Sequence, residues 1–128
     1  MHNNWTVNEI NWGNKVSKMA HGLHFIVGTS SNGRGPKLNP HPVTQGIEEL
    51  CNPPGLGVGP YPTFGPTDTK SHTPLPHVDA FVWPGVPGES SGTCNGGPPF
   101  GVYWRARAIY LASRAQYKLG PGSRSDPY

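Results

Sequence analysis

Glycine and proline set the limits on what this chain can become. With 18 Gly and 16 Pro in 128 residues, more than a quarter of positions either free the backbone from its usual dihedral limits or lock it and remove a donor. Regular elements must therefore be few and short, and irregular connections must carry much of the length. Leu, Ile, Val and Phe together supply fewer than one residue in five, close to the level at which a core becomes hard to build. Two facts oppose simple disorder. The net charge is only +3, and four Trp, five Tyr and four Phe offer large apolar surfaces that disordered segments lack. The expectation is a loop-rich piece of something folded, with room for one modest domain.

Hydrophobic periodicity places the regular elements. Thr6-Val7-Asn8-Glu9 has the form of a capping box, with the Thr6 hydroxyl accepting from the Glu9 amide and the Glu9 carboxylate reaching back. A helix from about Val7 to Met19 follows, with Val7, Ile10, Val16 and Met19 as its expected buried stripe and Gly22 as its stop. Leu23 to Val27 reads as a short buried strand, and Val78 to Trp83 as a second. Between them, Gly28 to Pro76 reads as one long irregular stretch, of the kind that is functional or disordered. Gly101 to Tyr117 is helix-compatible, with Val102, Ala106, Ile109 and Ala112 or Ser113 along one side. The tail 120–128 has no pattern and is expected to fray. This order of helix, strand, loop, strand, loop and helix is that of an α/β unit with functional loops after its strands.

Several function classes are disfavoured. Arg105, Arg107, Arg114, Lys118 and Arg124 gather toward the C-terminus, but no nucleic-acid motif accompanies them, so a solvated helix face is the better reading. No apolar run reaches the roughly 18 residues of a membrane span, and Met1 to Ala20 has no signal-peptide core. No membrane partner is expected, and location is cytoplasmic unless the N-terminus is incomplete. The six histidines show no paired ligand spacing, and no metal or other cofactor is expected. Gly55-Leu56-Gly57-Val58-Gly59 has the glycine spacing of a phosphate loop but neither follows a strand nor opens a helix. Trp5, Trp12, Trp83 and Trp104 are read first as core, with sugar stacking as the alternative for each. Asp79, inside an apolar strand, is expected to be hydrogen-bonded to neighbouring loop amides. Cys51 and Cys94 do not fit a metal spacing. They are either buried thiols or a disulfide closing a 43-residue loop, worth about 4 kcal/mol in the loop-entropy model.

Three ordered segments resemble glycoside hydrolase family 6, the cellulases. His24-Phe25-Ile26-Val27-Gly28-Thr29-Ser30-Ser31-Asn32-Gly33 is similar to the family's HFVIDTSRNG. Cys51-Asn52-Pro53-Pro54-Gly55 is similar to its WCNPPGR. Val78 to Trp83 with Pro87 to Gly97 is similar to its VDAFLWVKRPGESDGPCNGG. The resemblance runs from about Asn4 to Ser113 and implies an α/β fold, the C-terminal portion of a distorted (β/α) barrel with two short strands and two helices. It implies residues 1–119 as part of that catalytic domain and 120–128 as a disordered tail. Family members are secreted, which implies a Cys51–Cys94 disulfide if the chain reaches an oxidising compartment.

The implied activity is inverting hydrolysis of β-1,4-glucosidic bonds in cellulose, which needs a protonated acid and a base for water on the opposite face. The family's acid lies upstream of the matched region, and its proposed base falls on Ser91, whose hydroxyl cannot take a proton from water near neutral pH. Family site positions also fall on Gly28, Ser31, Leu50, Leu56 and Gly85, which lack the charged, polar or aromatic groups expected there. Substrate binding is expected from Glu89, Asn52 and Trp83, with β-1,4-glucan binding weak or lost. An Asp79–Glu89 pair is the sole remaining route to native-like acid–base chemistry. The expectation is a chain inactive alone, with a separate N-terminal half of the same enzyme as a partner. The alternatives are a non-catalytic glucan-binding remnant or a disordered Pro/Gly-rich interaction segment.

Overall fold

The computed structural model describes residues 6–33, 51–68 and 71–115. In chain order these form helix α1 (Thr6–Met19), strands β1 (Phe25–Gly28), β2 (Thr63–Phe64) and β3 (Val78–Val82), a short 3-10 turn (Cys94–Gly96), and helix α2 (Arg105–Ser113). Trp5, Leu50 and the tail 120–128 lie outside the described residues.

The sheet has three strands where sequence patterning predicts two, in the order β1-β3-β2. β1 runs parallel to β3, pairing Val27 with Phe81 and Gly28 with Val82. β2 adds antiparallel on the other side of β3, pairing Thr63 with Phe81. At two residues, both exposed, β2 offers no periodicity for a sequence reading to detect. The parallel pairing matters most. It brings the C-terminal ends of β1 and β3 side by side, so the loops that leave both strands emerge from one edge, where α/β proteins place their sites.

α1 packs on the sheet through a stripe that keeps Val7 and Ile10 of the predicted one but not Val16 and Met19. Thr6, Ile10, Gly13 and Ser17 are its buried residues, while Val16 and Met19 are 40% and 82% exposed. Gly13 is the physical reason. A Cβ there would lie 2.3 Å from the Phe25 ring, so the bare backbone turns the glycine face inward and rotates Val16 and Met19 out. Ile10, Val27, Val78 and Phe81 form the resulting core, with Val7, Phe25 and Leu75 packed against it.

The predicted capping box does not form. The Thr6 hydroxyl donates to Asn32 Oδ1 at 2.7 Å, and the Thr6 amide donates to the Asn32 carbonyl at 3.1 Å. Glu9 Oε1 is buried with no hydrogen-bond partner among the described residues. Thr6 is fully buried, so a tertiary partner has displaced the local one.

A second core lies under α2: Leu56, Val58 and Leu111, joined by Trp83, Tyr110 and Ala115. The Gly55–Gly59 glycine run is therefore core-forming backbone, with Leu56 and Val58 each 2% exposed. The Val102/Ile109 stripe predicted to face inward is instead exposed, at 45% and 55%. α2 begins only at Arg105, and Val102 belongs to the turn before it, so the periodic frame was set from outside the helix. The two cores do not favour the disordered-segment alternative.

Candidate functional site

A cleft of about 330 Å³ opens at the C-terminal edge of the parallel pair. Ser30 and Ser31 reach it from the loop after β1, and Pro84 to Ser91 from the loop after β3. Asn52, Pro53 and Leu56 supply its floor with Leu111 of α2, and Arg107 and Phe100 complete its lining. The loop after β3 is held as half of a small ladder. Glu89 bridges Tyr103 antiparallel, the Ser90 amide donates to Val102 O at 2.9 Å, and the Gly101 amide returns to Ser90 O at 2.9 Å.

Along this segment burial alternates, with Glu89 exposed, Ser90 buried and Ser91 exposed. Ser90 faces a polar knot. Its hydroxyl donates to Pro98 O at 2.7 Å, and Gly92 O lies 2.8 Å away. Asn52 Nδ2 meets Gly92 O at 2.6 Å, Cys94 O at 3.1 Å and Ser90 Oγ at 3.2 Å. The Ser91 amide closes the circuit by donating to Asn52 Oδ1 at 2.9 Å. Cys51 and Cys94 are disulfide-bonded, with Cα atoms 5.9 Å apart, which fastens the same loops covalently.

Glu89 lines the cleft and is the one carboxylate among its described lining residues. Asn52 also lines it but is 4% exposed, with its amide group committed to the knot. Trp83 is absent from the lining. Its indole N–H donates to Pro60 O at 2.8 Å, and its ring packs on the α2 core. Asp79 sits at the start of β3, away from the cleft, and its carboxylate meets His24 Nδ1 at 2.6 Å rather than loop amides. Both partners are more than half exposed, so at the start of the central strand this side chain faces solvent and is not a buried acid. Asp79 and Glu89 are not brought together. Trp12, expected in the core, is 59% exposed. No group of His, Cys, Asp and Glu among the described residues could hold a metal.

Two cleft residues were missed by sequence reasoning. Arg107 donates through Nη2 to Pro53 O at 2.5 Å and lies 5.5 Å over the Tyr110 ring. Burial pushes its guanidinium below its ordinary value, against the opposing influence of the Tyr110 phenol. Tyr110 in turn accepts from the Gly55 amide at 2.9 Å, so α2 holds the cleft floor from beneath. Phe100 was missed although its surroundings announce it. Pro99-Phe100-Gly101-Val102 is a turn closed by Val102 N–H to Pro99 O at 3.1 Å, and Gly101 has φ +79°, the value the third position of a type II turn requires.

This chain is 33% identical over 106 residues to Endoglucanase A of Cellulomonas fimi, covering 83% of this chain and 20% of the relative. It is 38% identical over 97 residues to Endoglucanase 1 of Streptomyces sp. (strain KSM-9), covering 76% and 22% respectively. The fold is similar, at TM-score 0.67 and 34% identity, to the endoglucanase Cel6 of Mycobacterium tuberculosis, solved with methyl-cellobiosyl-4-deoxy-4-thio-β-D-cellobioside. That similarity covers 88% of this chain and 34% of the solved one. The chain thus spans about a fifth of the length of the two sequence relatives. The model of the family described as Glycosyl hydrolases family 6 matches residues 1–115, which takes in both strand-end loops, the Asn52 knot and α2, and the chain belongs to that family.

Proposed function

We propose that this chain is the C-terminal part of a family 6 glucanase domain, that it supplies one wall of a β-1,4-glucan cleft, and that it does not hydrolyse glucan by itself. One observation carries this reading: among the described residues the cleft holds a single carboxylate, Glu89. Inverting hydrolysis needs two carboxyl groups about 6.5–9.5 Å apart across the scissile bond. At the family's base position stands Ser91, whose hydroxyl stays protonated at any pH an enzyme meets. Exposed Glu89 can accept hydrogen bonds from sugar hydroxyls but has no second group to divide the proton work with.

The parent architecture supported by the parallel β1–β3 pair is a distorted (β/α) barrel, since parallel strands are ordinarily covered on both faces. The α1–β1 side of the molecule, which meets the cleft at Pro84, supports a docking role for the rest of such a domain. A groove of about 520 Å³ there is lined by Glu9, Trp12, Val16, Leu23 and Ile26, and Trp12, Leu23 and Ile26 are about 60–70% exposed. Among the described residues β1 pairs only with β3, so its outer edge is the side on which a further strand would add. Glu9 Oε1 in this groove awaits a donor. The two-thirds of the solved relative that this chain does not cover is the natural occupant. The Cys51–Cys94 bond supports residence in an oxidising compartment.

The test is incubation of the purified, oxidised chain with cellohexaose. Release of shorter cello-oligosaccharides would overturn the inactivity. Amide shifts in the Glu89 loop at millimolar cellotetraose are expected, and their absence would overturn the glucan cleft.

A further inference from the structure

The cleft has an aromatic wall that its family resemblance does not assign. We infer that Phe100 is a sugar-stacking platform, which seats a glucosyl ring of the bound chain beside Glu89; this rests on the glucan reading above.

Four observations converge on it. Phe100 lines the cleft and is 79% exposed, so its ring is not spent on either core. It stands at the second position of a type II turn that is fastened on both sides. Gly101 N–H binds Ser90 O, Val102 O receives Ser90 N–H, and the Ser90 hydroxyl donates to Pro98 O. Such a turn holds its ring at little further entropic cost on binding, which is the condition for a useful platform. A Cβ placed on Gly101, the next position in sequence, would lie 3.8 Å from Glu89 Oε1, and Phe100 and Glu89 both line the cleft. Val86, 61% exposed, and Pro87 add apolar lining to the same cleft.

Singly exposed apolar residues are ordinary on protein surfaces. An exposed aromatic ring fixed on a rigid turn beside a carboxylate is a different arrangement, and its chemistry selects a particular ligand. A β-linked glucosyl ring has apolar C–H faces and hydroxyls directed outward around its rim. The Phe100 face would cover the first, with its π-cloud toward the C–H bonds, while Glu89 accepts from the second. A flat hydroxyl-rimmed ring satisfies both at once, and a purely apolar or purely anionic ligand satisfies only one.

The experiment is a titration of the oxidised full chain with cellotetraose, followed by amide and side-chain NMR, on the wild type, Phe100→Ala, Phe100→Leu and Phe100→Trp. The amide spectrum of each variant reports whether it is folded. The wild type is expected to show ring-current shifts on glucosyl C–H protons. Phe100→Ala and Phe100→Leu are expected to bind about tenfold more weakly and to lose those shifts, with Phe100→Trp retaining both. If the wild type binds and Phe100→Leu matches it within twofold, the platform is refuted while the glucan cleft stands. If the folded wild type does not respond to cellotetraose at all, the cleft reading fails and takes the platform with it. Should Phe100→Ala not fold, Phe100→Leu, which keeps apolar bulk at the turn, decides the matter.

Discussion

Replacing Asn52 with alanine probes what holds the Glu89 loop in place. Asn52 is 4% exposed and adopts φ +49°. Its amide nitrogen has two hydrogens for Gly92 O, Cys94 O and Ser90 Oγ, and its oxygen accepts from Ser91 N–H. Counting two donated bonds and one accepted bond at about 1 kcal/mol each gives about 3 kcal/mol. Alanine must also hold a left-handed backbone, for roughly another 1 kcal/mol. The expected destabilisation is therefore about 4 kcal/mol, a large share of any small domain's stability. Asn52→Gly removes the same bonds without the backbone cost and should be milder by about 0.5–1 kcal/mol. Urea unfolding of the oxidised chain, followed by tryptophan fluorescence, measures both. If Asn52→Ala lies within about 1 kcal/mol of wild type, the knot is not what fixes the loop. If the glycine variant is the less stable of the two, the backbone argument is wrong.

Three other substitutions have defined outcomes. Gly13→Ala adds a Cβ 2.3 Å from the Phe25 ring and should cost about 1–3 kcal/mol by thermal unfolding, despite alanine's better helix propensity; a more stable variant would refute the close approach. Arg107→Lys keeps the charge but loses the planar contact with Tyr110 and the geometry of the bond to Pro53 O, so the chain should lose about 1 kcal/mol, read as a lower urea midpoint. Asp79→Asn should cost less than about 1 kcal/mol because the pair with His24 is exposed on both sides, and the difference should vanish near 1 M salt.

The large motifs were legible because they are backbone requirements written in distinctive residues. The Asn-Pro-Pro-Gly segment and the Pro-Gly-Glu loop could be read directly, and so could the two longer strands, whereas the pairing of the cysteines followed only from the family resemblance. Orientation was less legible. α1 was placed nearly to the residue, yet of the inward face read from Val7, Ile10, Val16 and Met19 only the first two reach the core. The true determinant was Gly13, a residue whose contribution is the absence of a side chain. Thr6 carried a capping signal that a tertiary bond to Asn32 overrode. Trp83 was read first as core and, through its motif, as a substrate contact; the structure packs it on the α2 core with its indole on Pro60 O, and it commits the polar atoms of Asn52 to the loop knot. Phe100 escaped attention because a pattern search rewards periodicity, whereas its signal was the turn chemistry of Pro-Phe-Gly.

The division of labour between Ser90 and Ser91 shows why one substitution should not restore catalysis. Ser90 is 2% exposed and wired to Pro98 O and Gly92 O, whereas Ser91 is held only through its backbone amide as far as the knot is concerned. Because burial alternates along this segment, Glu89 and Ser91 point to the same side. In extended backbone such i, i+2 positions lie about 7 Å apart, so Ser91→Asp would create two carboxylates at a spacing within the inverting range. The spacing is not sufficient. Both groups would rise from one loop on one wall of the cleft, while inversion needs them on opposite faces of the sugar ring. Ser91→Asp is therefore expected to leave cellohexaose intact when assayed by product chromatography. Cleavage by this single variant would mean that the cleft already presents an acid on the facing wall, and the one-wall reading would fall with it.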